Sequence, residues 1–76
     1  MRVLVTGAAG FIGSHVVEAL AGQGDGIFAA TRNRRGVQWQ PRTPGEIHSV
    51  EVDLMNSSAV RSALRDIRPE LTIHLA

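Results

Sequence analysis

The sequence predicts an α/β fold, a doubly wound parallel sheet with helices on both faces. Three observations lead there. Short apolar runs alternate with segments whose apolar residues recur at helical spacing. A glycine triplet, Gly7, Gly10 and Gly13, stands at the first switch from strand to helix. The resulting order, β-α-β-loop-β-α-β, needs crossovers, which are right-handed almost without exception. Doubly wound sheets then take the spatial order 3-2-1-4, with a crevice opening at the carboxyl ends of the first and fourth strands.

Each element has its own signal. Arg2 to Thr6 reads R-V-L-V-T, a run suited to a strand buried on both faces. From Phe11 the period changes: Ile12, Val16, Ala19 and Leu20 share one helical face, with Gly22 and Gly24 as stops. Ile27 to Thr31 is a second strand. The polar stretch Arg32 to Gly45, with two prolines and Gly36, is long against the usual connection of about 2–6 residues. Ile47 to Val52 alternates as a third strand. Asn56 or Ser57 caps a helix whose apolar positions are Val60, Leu64 and Ile67, and Pro69 ends it. Leu71 to Leu75 is the fourth strand.

Composition removes several function classes. With no cysteine, the chain has neither disulfides nor thiolate metal sites. His15, His48 and His74 are scattered without ligand spacing, so no metal residues are expected. His15 reads as a partly exposed helix residue, and Trp39 as a cover for apolar surface. A net charge of +1 argues against a nucleic-acid partner. No apolar run approaches the ~20 residues of a membrane span, and the first residues do not read as a signal peptide. A cytoplasmic protein is the expectation. There is neither Tyr nor Lys; every basic side chain other than His is Arg, which is always protonated and cannot relay a proton near neutral pH. No catalytic residue is therefore expected within these 76 residues.

The chemistry sits in Thr6-Gly7-Ala8-Ala9-Gly10-Phe11-Ile12-Gly13. Gly7 permits a tight turn off the strand. Gly10 lets the main chain approach a pyrophosphate, and Gly13 lets the helix pack close to the sheet. The helix start then offers free N–H groups and the positive end of its dipole to an anion. A glycine triplet is weak evidence alone, but this one has the strand before and the helix after that a dinucleotide-binding turn requires.

The G-x-x-G-x-x-G spacing resembles the extended branch of the short-chain dehydrogenase/reductase family, the NAD-dependent epimerases and dehydratases of sugar nucleotides. Val52-Asp53-Leu54-Met55-Asn56 resembles that family's D-L-x-D segment after strand three, with Asn56 in place of the second Asp. Arg68 to Ala76 resembles its P-D-x-V-x-H-L-A fourth strand. The three motifs span the chain.

The resemblance implies a Rossmann-type doubly wound sheet, of which residues 1–76 are the N-terminal part and from which the substrate domain is absent. It implies a dinucleotide held by Gly7, Gly10, Phe11, Ile12 and Gly13, with Asp53 and Leu54 against the adenine. Leu75 and Ala76, at the end of strand four, border the cofactor, as does His74 unless it is simply packed in the strand. The parent would act on a nucleotide sugar by epimerisation, dehydration or reduction, as a homo-oligomer, using a Y-x-x-x-K pair that this chain lacks. The chain alone would be inactive. The other reading is a non-catalytic dinucleotide sensor of the atypical reductase branch, which has similar glycines and T-R-N after strand two.

Cofactor choice turns on the residues past strand two. An acid there bonds the ribose 2′-hydroxyl of NAD, whereas an Arg accommodates the 2′-phosphate of NADP. Thr31-Arg32-Asn33-Arg34-Arg35 is followed by no acid before Glu46. Arg32 thus predicts NADP, with NAD as the alternative. Gly24 to Asn33, G-D-G-I-F-A-A-T-R-N, resembles the corresponding stretch of GDP-mannose 4,6-dehydratases and related GDP-sugar reductases, whose R-R pair is matched here at Arg32 alone. Arg34 and Arg35 read equally well as a solvated basic loop.

Overall fold

The computed structural model describes residues 1–32 and 46–75. Arg34, Arg35, Trp39 and Ala76 lie outside the described residues, so the expectations placed on them are not addressed. The elements are β1 (Arg2–Thr6), α1 (Phe11–Gly22), β2 (Gly26–Thr31), β3 (Glu46–Glu51), α2 (Ser57–Ile67) and β4 (Leu71–His74).

The four strands form one parallel sheet in the order β3-β2-β1-β4, as the sequence predicts. Pairing sets Val5 beside Ala29 and Ile73, and Thr6 beside Ala30 and His74. The carboxyl ends of β1, β2 and β4 therefore finish level, and the glycine turn leaves the sheet from the centre of that row. Strand limits differ from the sequence reading by one residue. β2 starts at Gly26, whose N–H donates to the Met1 carbonyl at 2.9 Å. β3 starts at Glu46, and Val52 lies just past it while still donating to the Thr31 carbonyl at 2.8 Å. β4 ends at His74, with Leu75 continuing one bond to the Thr6 carbonyl at 3.2 Å.

Strand alternation gives the sheet two apolar faces. Val3, Val5, Ile27 and Ala29 pack with Ala8 and with Val17 and Ala21 of α1. Leu4 and Ala30 point the other way and pack with Ile67 of α2, flanked by Phe28, Val50 and Ala63. The helices thus cover opposite faces, as a doubly wound sheet requires.

The face of α1 needs correction. The sequence reading turned Ile12, Val16, Ala19 and Leu20 inward. In the structure the buried row is Gly13, Val17 and Ala21, with Val16 and Leu20 only flanking it. Ile12 is 65% exposed, and Ala19 is exposed. The cause is distance. Gly13 lets the helix start close against the β1 turn, and at that separation the smaller row of side chains fits inward. In α2, Ile67 is buried and Val60 half-buried as expected, but Leu64 is 40% exposed. Asn56 is its N-cap: the side-chain oxygen accepts from the Ala59 N–H at 3.1 Å.

Candidate functional site

The turn after β1 is built from glycines with different physical duties. Gly7 adopts φ 68°, in the left-handed region that side chains disfavour, and its carbonyl accepts from the Gly10 N–H at 3.1 Å. Ala8 is fully buried and its N–H donates to the Ala30 carbonyl at 3.4 Å, tying the turn to β2. A Cβ placed on Gly13 would lie 2.1 Å from the Gly7 carbonyl oxygen and 2.9 Å from Ala8 Cα, all backbone. Gly13 is therefore required by the chain's own packing. A Cβ on Gly10 would meet only the Gly7 carbonyl oxygen, at 3.4 Å, in ordinary contact. The fold leaves room there.

Gly10 is also the N-cap of α1. Its backbone is extended, no side chain caps the helix, and the first turn holds no acid. The first N–H groups of a helix have no intrahelical acceptor, and the helix dipole adds partial positive charge at this end. An anion is the complementary group.

Two clefts flank the turn and share Gly7 and Gly10. One, of about 430 Å³, runs over the carboxyl ends of β1, β2 and β3 and is lined by Arg32, Asp53, Leu54 and Met55. The other, of about 380 Å³, lies toward β4 and is lined by Phe11, Ile12, Gly13 and Leu75. The sequence-predicted residues within the described region thus gather around one turn, but on two sides of it. Phe11 and Ile12 are largely exposed at the helix start, and the Phe11 ring meets His15, itself exposed as expected, edge-on at 4.7 Å.

Local hydrogen bonds hold the cleft walls. Asp53 shapes the turn after β3: its carboxylate accepts from the Met55 N–H at 2.9 Å, and its carbonyl from the Asn56 N–H at 3.0 Å. That places Leu54 and Met55 over the larger cleft. Between the clefts, Thr6 Oγ1 lies 2.6 Å from His74 Nδ1 and accepts from the Leu75 N–H at 3.2 Å. His74 is thus an exposed strand residue bonded to β1, and it lines neither of the two clefts. Thr31 also lines the larger cleft; its Oγ1 is buried with no hydrogen-bond partner among the described residues.

Sequence reasoning assigned no role to Thr31 or Met55. For Met55 the signal was its place inside the quoted V-D-L-M-N segment. For Thr31 it was a hydroxyl closing an otherwise apolar strand. Among the described residues, no cluster of His, Asp or Glu could hold a metal ion, and no helix is long and apolar enough to cross a membrane.

Comparison with known proteins gives this geometry a context. Residues 3–76 match the model of the NAD dependent epimerase/dehydratase family. A UDP-glucose 4-epimerase of Azospirillum brasilense is 37% identical over 75 residues, covering 99% of this chain and 21% of that protein. A 3-diazoavenalumate denitrifying reductase of a Streptomyces species is 38% identical, covering 97% of this chain and 22% of that protein. Among solved structures, the UDP-glucose 4-epimerase of Thermus thermophilus in complex with NAD superposes with a TM-score of 0.81 at 39% identity, covering all of this chain and 24% of that one. The chain therefore spans about a fifth to a quarter of the length of these relatives. With the match running from the first strand to the end of the chain, the protein belongs to the NAD dependent epimerase/dehydratase family.

Proposed function

We propose that residues 1–76 are the N-terminal part of an NAD(P)-binding Rossmann-type domain, serving a nucleotide-sugar epimerase, dehydratase or reductase. The observation that carries this reading is the contrast between Gly10 and Gly13. Gly13 is closed by its own backbone, whereas Gly10 has room for a side chain, yet is glycine at an uncapped helix start beside two clefts. A ligand that must come close to the main chain explains that choice.

Gly10 and the N–H groups of Phe11, Ile12 and Gly13 would hold the pyrophosphate, Arg32, Asp53 and Leu54 would hold the adenosine half, and Leu75, with Ala76 following it in the sequence, would border the nicotinamide half. When bound, the nicotinamide supplies a hydride acceptor or donor. This chain's part is to bind and orient; it has no Tyr or Lys to move a proton at a sugar, so these 76 residues alone are inactive. The whole protein acts in the cytoplasm on a nucleotide sugar, as a homo-oligomer.

NADP is the preferred cofactor and NAD the alternative. Arg32 is exposed on the rim of the larger cleft, where a guanidinium forks onto a 2′-phosphate. A charge-assisted hydrogen bond is worth about 1.5–3 kcal/mol. Arg32→Ala therefore lowers NADP affinity about tenfold or more and leaves NAD affinity nearly unchanged, as read by titrating both dinucleotides. Equal losses for the two would remove the NADP assignment. Failure of the unaltered chain to bind either would remove the dinucleotide reading itself.

A further inference from the structure

Three arginines converge at the end of the sheet opposite the glycine turn. Arg2 opens β1, Arg65 lies in the last turn of α2, and Arg68 closes that helix. They line a hollow of about 600 Å³ together with Phe28, Asp66 and Ile67. The length of β1, roughly 16 Å, separates it from the glycine turn. Arg2 ties the two segments: its Nε donates to the Arg68 carbonyl at 3.1 Å, and its backbone N–H to the Glu70 carboxylate at 3.0 Å. Asp66 lines the hollow, yet among the described residues no carboxylate pairs with any of the three guanidiniums. Helix-end charge accounts for Arg65, since a cation complements the negative end of the α2 dipole. It does not account for Arg68, which has φ 50°, the left-handed conformation in which glycine or asparagine commonly closes a helix. The closing bond there, from the Arg68 N–H to the Leu64 carbonyl at 2.9 Å, needs no side chain. Nor does it account for Arg2, which belongs to another element.

We infer that this hollow is a phosphate-binding site, separate from the two clefts at the glycine turn and independent of the dinucleotide reading. A guanidinium forks onto the oxygens of a phosphate or a carboxylate. Three guanidiniums around one hollow exceed what the two oxygens of a carboxylate can take, whereas a terminal phosphoryl group offers three acceptor oxygens. All three arginines are exposed, so the ligand enters directly from solvent. The phosphoryl group comes free or on a nucleotide. For a nucleotide, the half-buried Phe28 ring, itself stacked with His48 at 5.0 Å, supplies a flat wall beside the arginines.

Amide NMR titration of the full chain with inorganic pyrophosphate tests this, because it reads the two ends of the sheet separately. Shifts should saturate at Arg2 and residues 65–70, whether or not residues 10–13 also respond. Arg65→Gln and Arg68→Gly should each weaken the response of residues 65–70 about fivefold, the upper range for an exposed ion pair. Neither should alter any response of residues 10–13. Arg68→Gly keeps the carbonyl that Arg2 binds and suits the left-handed backbone, so its melting temperature should equal or exceed that of the unaltered chain. Tighter binding of adenosine 5′-diphosphate than of pyrophosphate at residues 65–70 supports the site with a nucleotide as the source; equal or weaker binding supports it with free phosphate. An absence of saturable shifts at residues 65–70 overturns the inference. So do equal shifts with sodium chloride at matched ionic strength, citrate binding there as tightly as pyrophosphate, or unchanged affinity in both arginine variants. Dinucleotide binding at the other end of the sheet stands or falls on its own titrations.

Discussion

The α1 side of the sheet and the α2 side are built by different rules. On the α1 side, Val3, Val5, Ile27 and Ala29 are fully enclosed with Val17 and Ala21, although α1 divides polar from apolar residues only weakly. On the α2 side the helix is sharply amphipathic, yet Ile67 is its only buried residue, and Leu64 stays 40% exposed beside a cavity of about 320 Å³. Depth of burial therefore follows how near the helix axis comes to the sheet. α1 is pressed against the β1 turn at Gly13, in its first turn, whereas α2 starts from a capped turn beyond Asp53 and meets the sheet chiefly at its last residue.

The largest test of that contrast is Gly13→Ala. Its Cβ would collide with backbone that has nowhere to move, so the α1 side should open. Overpacking costs about 1–3 kcal/mol and occasionally more. We expect the upper end of that range, a large share of the stability of a chain this size, read as a fall in urea midpoint. Gly10→Ala, where the Cβ has room, should stay folded. Similar destabilisation by both would mean that close approach is not what sets the helix.

A paired truncation comes next. Val17→Ala removes two methyl-sized groups from the closed side and should cost about 2 kcal/mol, transfer and cavity terms together. Leu64→Ala removes more atoms from the open side yet should cost less than about 1 kcal/mol, because that side chain already meets water. Equilibrium unfolding of both variants ranks them, and the reverse order would show that α2 is seated more deeply than its exposure suggests.

The last and most local test is Asn56→Ala, which deletes the α2 cap. About 1 kcal/mol is expected, with amide exchange quickening first in residues 57–60. Protection unchanged in that turn would show that α2 is held by packing after all.

Much of this was legible in the sequence because it depends on local chemistry. Strand-like runs, helix periodicity and the handedness of crossovers were enough for the order β3-β2-β1-β4. The turn at Gly7 and the Asn56 cap follow from what those residues can do with their own neighbours, whereas the placing of Asp53 and Leu54 near the glycines followed from the resemblance to the family, and that of Arg32 from its position just past strand two. The inward face of α1 was not legible. Val16 and Val17 are adjacent, so the pattern of apolar residues fits two faces about 100° apart. The choice between them depended on how closely Gly13 lets the helix approach. Only the tertiary structure separated Phe11, Ile12 and Leu75 from Arg32 and Asp53 on the two sides of one turn, because that division depends on which strands flank β1. It alone left Thr31 with a buried hydroxyl and gave Thr6 two partners, since both fates depend on groups distant in sequence that pairing brings to the strand ends.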